Sequence, residues 1–540
     1  MATSEDWKEL AAEKRRSIHA LIPQAWLLPQ DLLDKYNETT PVSVLHVPEQ
    51  FLSESELEIT ENYTVKELLA SLASSKISAV DVCNAFSHRA AIATQLTNCC
   101  TELMFEYGLE RAKFLDEYLK KNGKIFGPLH GLPISLKDCF KVPGYDSTIG
   151  YVARIGNKDD TESDLVRQLS DLGAVFYVKT NIPQTLLTGD SQNNVFGRTL
   201  NPNNLTWTAG GSTGGEGALI KMRGSLLGMG NDSAGSLRIP PLCDGVYGFK
   251  PSSSRYPNGN QELPSRDVFV GIPVASGPLS ADLETIELVT KLVFDNDPQK
   301  YDFEALGTGY IDPCITEKDT LKIGIVRGDH KFPIHPPMKR VINEAAEKLK
   351  KAGHIVEFVN EIPSYEDAWS YAWRLFRVDP KSTAVNDIFA AGEPFVKSVT
   401  LPGLDVYGSG PKDIDELICI RAQMNELKRQ WMEIFNKYDV VISPGAPGSA
   451  PPHDTYGIAV YTTMWNVVDF PALVIPYGVV DASIDVDDGA VYDAKLEHIY
   501  AHYDAEKYDG GICHLQISAP HMADEKLISA SILINNVLKD

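Results

Sequence analysis

The alternation of apolar and polar positions predicts that the chain opens on helices. Residues 5–20 are rich in helix formers, with Ser4 placed to cap them and Pro23 to close the segment. Residues 21–62 show no such period. Pro23, Pro29, Pro41 and Pro48 punctuate them, which predicts an extended arm. From Thr64 the helical pattern returns, with Leu68, Leu69 and Leu72 on one face. A second helix is expected after Ser78, through Arg89 toward Leu96. A third is expected over 107–120, where Ala112, Leu115 and Leu119 recur at helical spacing. These three, with the helix over 5–20 before them, make a helical lead-in ahead of any strand.

The period then shortens. Residues 127–133 read as a turn and 134–138 alternate like a short strand. Residues 163–172 read as a helix and 174–179 as a buried strand. The mostly apolar run from Ala218 to Met229 reads as a buried helix. Between 284 and 320 the pattern weakens around Asp295, Asp297 and Pro298. A strand over 321–326, a helix near 338–352 and a strand over 354–359 follow. Residues 360–437 read as helices and loops able to cover a site, 438–444 as a late strand, and 523–537 as a C-terminal helix. Helices alternating with short apolar strands predict an α/β fold with a largely parallel or mixed sheet covered on both faces. The expected organisation is an arm over 1–62 and a single domain over 63–540.

Composition narrows the function classes. The 540 residues include 43% hydrophobic and 23% charged side chains, ordinary values for a globular protein. The net charge of −23 argues against nucleic acid, which needs a basic footprint, and against anionic membranes. Eight cysteines at irregular spacing, none in a CxxC pair, predict free thiols and a reducing, cytoplasmic compartment. The adjacent Cys99 and Cys100 are expected to pack in a helix. His498 and His502, four apart, have no ligand cluster around them, so no metal is expected. The charged N-terminal stretch does not read as a signal peptide, and no apolar run is long enough to cross a bilayer.

The candidate chemistry sits in Ala209–Arg238. One end of this stretch reads Gly210-Gly211-Ser212-Thr213-Gly214-Gly215 and the other Gly230-Asn231-Asp232-Ser233-Ala234-Gly235-Ser236. Small residues let successive N–H groups converge on an anion, and a serine beside such a cradle is a candidate nucleophile. A generic run of this kind is a flexible loop, but here two of them bracket a predicted buried element. No GxSxG elbow surrounds Ser236.

At this stretch the chain resembles the amidase signature family, through residues 210–218 and 232–238. The likeness extends to Gly131-Leu132-Pro133-Ile134-Ser135-Leu136-Lys137-Asp138, to residues 179–183, 196–202 and 248–252, and to the late segment 466–476. Residues 7–26 and 438–447 look like its fungal acetamidase-type branch. The resemblance implies a three-layer α/β/α sandwich with a large mixed sheet. It implies hydrolysis of a carboxylic amide through a serine acyl-enzyme, with no cofactor. By motif, Ser236 matches the nucleophile, Ser212 the serine on a cis peptide bond that relays a proton, and Lys137 the base. A lysine acts as base only when neutral, and burial favours that form. The backbone N–H groups of Ser233, Ala234, Gly235 and Ser236 are the implied oxyanion cradle. Ala234 and Asn231 depart from the glycine and threonine of many members, and neither removes a catalytic side chain. Leu186, Leu187 and Ile239 match positions that line the acyl pocket, Ser212 is counted with the substrate contacts, and Tyr461 and Trp465 are candidates to close the pocket, with ordinary core as the other reading of the five apolar and aromatic residues. The expected partner is a small amide, with neither nucleic acid nor membrane, and a homodimer is left open. Two alternatives remain at this stage: a glutaminase subunit of an amidotransferase, and a non-catalytic binding protein on the same fold.

Overall fold

The computed structural model describes residues 6–265, 271–400, 409–489, 500 and 502–539. Ser4 and His498 lie outside the described residues. The first helix spans Asp6–His19. Ser53 and Thr64 each accept from the backbone N–H of a glutamate three residues on, Glu56 and Glu67, whose carboxylates reach back. Helices Glu54–Glu61 and Val65–Ala73 therefore start with capping boxes. The first corrects the extended arm expected over 21–62, which also holds short turns at Gln24–Trp26, Gln30–Leu33 and Pro48–Gln50. Prolines masked an eight-residue helix whose cap was legible.

Ser78 caps helix Ala79–Thr97, which ends on Asn98 in the left-handed region. That ending turns the chain into strand β1, Cys100–Leu103, before the next helix, Phe105–Asn122. The helical lead-in is thus interrupted. Cys99 and Cys100 stand at the entry to β1, buried, with sulfurs 3.8 Å apart, and not in a helix.

The later strands are β2 (Pro133–Lys137), β3 (Val175–Thr180), the small pair β4 (Gln192–Asn193) and β5 (Gly197–Arg198), β6 (Leu227–Asp232), β7 (Tyr247–Lys250) and β8 (Ala275–Ser280). They continue with β9 (Lys322–Ile325), β10 (Ile355–Phe358), β11 (Val440–Ser443), β12 (Ala472–Val479) and β13 (Ile512–Ser518). Among the described residues eleven of them form one sheet, ordered β1-β3-β2-β6-β8-β7-β12-β13-β11-β9-β10. The sheet is mixed: β3, β2 and β6 run parallel, as do β11, β9 and β10, while β6, β8, β7, β12, β13 and β11 alternate in direction. Every residue of β2, β3, β6 and β8 is buried, so helices cover both faces of the three-layer α/β/α sandwich.

Two further readings change. The run from Ala218 to Met229 is not one helix. Helix Gly214–Lys221 ends before Arg223, which takes a positive φ of 56°, and β6 follows. The segment that looked weak after 284 begins with helix Leu283–Asp295, capped by Asp282 and burying Leu283, Ile286, Val289 and Val293.

The N-terminal segment lies against its own chain. The Val44 N–H donates to the Pro202 carbonyl and the Leu205 N–H to the Val42 carbonyl. Lys14 pairs with Glu102 of β1 and Asp146. Among the described residues no helix is long and apolar enough to cross a membrane. One feature positions the site: β2 and β6 are adjacent and parallel, with Ser135 beside Gly228 and Leu136 beside Met229. Their carboxyl ends leave the sheet side by side, where ligand sites of such sheets collect.

Candidate active site

Lys137 is the last residue of β2, and Asn231 and Asp232 close β6. The Lys137 amine lies 2.8 Å from Ser212 Oγ, 2.6 Å from Asn231 Oδ1 and 3.3 Å from the Asn231 carbonyl. Ser212 Oγ lies 2.8 Å from Ser236 Oγ. The three side chains singled out in the sequence thus form one continuous hydrogen-bonded line, buried along its length. The Gly211–Ser212 peptide bond is cis. A Cβ on Gly211 would stand 2.3 Å from the Thr188 carbonyl, so no side chain fits there.

Burial lowers the Lys137 pKa to about 8, against the pull of Cys139, Asp232 and Glu216 toward the charged form. The Glu216 carboxyl, on the helix that follows Ser212, is pushed up to about 8 by burial, although the Ser135 and Thr180 hydroxyls donate to it. At neutral pH the amine keeps a neutral fraction, and its lone pair can take a proton from a hydroxyl.

The loop carrying Ser236 is held by Asp232. Its carboxylate accepts from the Gly235 N–H at 2.6 Å, the Leu237 N–H at 3.0 Å, the Arg238 guanidinium at 3.0 and 3.1 Å, and Asn466 Nδ2 at 2.9 Å. Burial opposes its charge, but Arg238, with Lys250 and the Asn466 hydrogen bond added, holds the carboxyl below its usual range. Arg238 also donates to the Thr462 carbonyl, Gln516 Oε1 and Asn466 Oδ1. The hydroxyls of Thr462 and Thr463 donate to the Ala234 carbonyl at 2.7 and 3.1 Å. Gly235 takes φ 132°, and a Cβ there would sit 2.2 Å from Thr462 Oγ1. Ala234 needs no positive φ, so its methyl group is tolerated.

Of the four residues expected to form the oxyanion cradle, Ala234 and Ser236 line the cleft. The Gly235 N–H is given to the Asp232 carboxylate at 2.6 Å. Asp232 and Arg238 lie inside the 232–238 motif itself. Nothing local marked Gln516 or Thr462, which reach the loop from 278 and 228 residues away along the chain.

The cleft over Ser236 encloses about 620 Å³ of space, part of it open to solvent. Leu186, Leu187 and Ile239 line it as expected, and so does Gly211. Ser212 stands behind Ser236 and does not line it. Trp369, Trp373 and Phe376 of helix Tyr365–Phe376 form an aromatic wall, and Asp190, Asp454 and Tyr456 supply polar groups. Tyr461 and Trp465 do not close the cleft. Both are buried in helix Val460–Val467. The Tyr461 hydroxyl donates to the Phe332 carbonyl, and Trp465 packs on Trp431 with ring centroids 4.6 Å apart. Among the described residues no group of three or more metal-binding side chains is assembled.

The sequence model of the Amidase family matches residues 81–528. The chain is 37% identical to an "Amidase" of Gibberella moniliformis, over 99% of both chains. It is 33% identical to an "Acetamidase" of Emericella nidulans, over 99% of this chain and 98% of the relative. A solved structure titled "Fatty acid amide hydrolase" superposes with a TM-score of 0.92 at 30% identity, over 99% of this chain and 96% of that one.

Proposed function

We propose, from the premise that this chain belongs to the Amidase family and hydrolyses amides, that Ser236 is its nucleophile, Ser212 its proton relay and Lys137 its base. The observation that carries this reading is the buried line Lys137–Ser212–Ser236, with both oxygen contacts at 2.8 Å. In the first step Ser236 Oγ attacks the amide carbon. Its proton passes to Ser212 Oγ as the Ser212 proton passes to the neutral Lys137 amine. The carbonyl oxygen becomes an oxyanion, received by the N–H groups of Ser236 and Ala234, with Ser233 beside them. The tetrahedral carbon then collapses and the C–N bond breaks. The ammonium returns its proton through Ser212 to the departing nitrogen, which leaves as ammonia or amine. Water repeats the sequence on the acyl-enzyme and releases the acid.

The apolar lining supports an aliphatic or aryl acyl group. A pocket of this kind separates neighbours weakly, since one methylene is worth about 1–3 kcal/mol. The same reading takes residues 63–540 as one catalytic domain. The eight free cysteines support a reducing compartment such as the cytoplasm.

A fluorophosphonate probe and a panel of amides from acetamide to long-chain and aryl substrates test the proposal together. The wild-type chain is expected to label covalently and to hydrolyse members of the panel, and Ser236→Ala to do neither. Labelling at full occupancy in Ser236→Ala would show that another residue is the nucleophile.

A further inference from the structure

The mechanism asks the Lys137 lone pair to point at Ser212, and a lysine amine rotates freely. Something must fix its direction. Resting on the functional reading above, we infer that Asn231 and Gln261 are positioning residues that aim this lone pair.

A neutral amine carries two N–H bonds and one lone pair. The Lys137 nitrogen has three oxygen neighbours. Two belong to Asn231, its side-chain Oδ1 at 2.6 Å and its main-chain carbonyl at 3.3 Å, and both can only accept. The third is the Ser212 hydroxyl at 2.8 Å, which can donate or accept. With both N–H bonds given to Asn231, the lone pair faces Ser212. After the proton arrives, the third N–H of the ammonium faces Ser212 as well. Both protonation states are satisfied without rotation, and Ser212 is the partner that exchanges the proton.

This holds only while the Asn231 amide presents its oxygen. A flipped amide would set a second donor against the lysine and compete for the lone pair. The orientation is fixed from outside the relay. Asn231 Nδ2 donates to Gln261 Oε1 at 2.7 Å and to Cys139 Sγ at 3.3 Å. Gln261 is itself locked, because its Nε2 donates to the Asn258 carbonyl at 3.1 Å, Asn258 Oδ1 at 2.9 Å and Ser276 Oγ at 2.9 Å. Ser276 spends its own proton on Asn258 Oδ1 at 2.7 Å and is left to accept. A reversed Gln261 would point its oxygen at the Asn258 main-chain carbonyl, which can only accept. The loop is pinned beside β2 by the Glu262 N–H, which donates to the Cys139 carbonyl two residues beyond Lys137. The amide orientations follow from the network as a whole.

Steady-state kinetics from pH 6 to 10, with melting temperatures, test this in the wild type, Gln261→Met and Asn231→Asp. Gln261→Met keeps the bulk and removes the acceptor that holds Asn231. It is expected to lose about tenfold or more in kcat, with KM within about twofold and a melting temperature near wild type. Asn231→Asp puts a carboxylate on the amine and stabilises the ammonium. It is expected to move the acid limb of kcat/KM up by about one pH unit or more, with activity returning at alkaline pH. Wild-type kcat and an unmoved limb in the two variants would overturn the inference, as would losses accounted for by unfolded protein. A wild-type chain that hydrolyses no amide would instead overturn the functional reading beneath it.

Discussion

Lys137 is a residue whose position changes its chemistry. At the surface it would be an ammonium across the working range. Buried at the end of β2 it titrates near pH 8. On the proposed mechanism only the neutral amine takes the Ser212 proton, so kcat/KM should rise with pH and level off above about 8. A flat profile between pH 6 and 9 would rule out Lys137 as the base. Lys137→Ala should cost about 10² or more in kcat/KM at every pH, by comparison with removal of single catalytic groups in other hydrolases. The three side chains of the hydrogen-bonded line were legible because their motifs are local, with glycines packed around each serine. The residues that hold them were less so. Asn231 and Asp232 stood in the motif, but Gln261 and Gln516 carry no local signal, and Trp369, Trp373 and Phe376 repeat at a spacing that reads equally well as a core stripe.

At the scale of elements, the sheet determines which of these residues meet. The strands that escaped the sequence pattern show why alternation fails here. β13, Ile512–Ser518, buries His514 and Gln516 together with Leu515 and Ile517, so polar residues stand on covered faces and no amphipathic period appears. β12 carries Pro476 in its length and pairs with β7 and β13. His514 has a measurable consequence. Its Nε2 accepts from the Gly445 and Ala446 N–H groups at 3.0 and 3.2 Å, and burial lowers its pKa to about 3. The unfolded value of about 6.5 is higher, so below it the unfolded chain binds the extra proton. This contribution is complete above pH 6.5 and is lost as pH falls toward 3. Between pH 7 and 5 it should remove about 2 kcal/mol of stability. Urea midpoints should therefore fall over that range, and fall less in His514→Gln. An equal fall in both chains would assign the loss to other groups.

Over the whole molecule, the fold class was readable from helices alternating with short strands. The path of the N-terminal segment was not, because its prolines hide what it touches. Helix Asp6–His19 packs beside β1, which stands at one end of the sheet order, and so helps cover an edge that would otherwise offer unpaired backbone groups. Lys14 fixes it there against two buried carboxylates, Glu102 and Asp146. Burial drives the Glu102 carboxyl up to about 7 even with Lys14 pulling it down. Lys14→Ala removes the cation from a buried cluster and should cost about 3 kcal/mol, read as a lower urea midpoint. An unchanged midpoint would show that the helix is held by its other contacts, such as Arg15 on the Val195 carbonyl.

The parallel neighbours β2 and β6 carry Lys137, Asn231 and Asp232 at their carboxyl ends, just past their paired residues, whereas the cleft walls come from the 186–190 and 454–459 segments and from a covering helix, none of them strands of the large sheet. The two parts are therefore mechanically separate. An insertion or an aromatic exchange in the walls alters which molecules fit and leaves the ladder spacing alone, while a one-residue slip in β2 would turn Lys137 to the opposite face and abolish the relay. On this plan the choice of substrate and the proton path can be altered independently of each other.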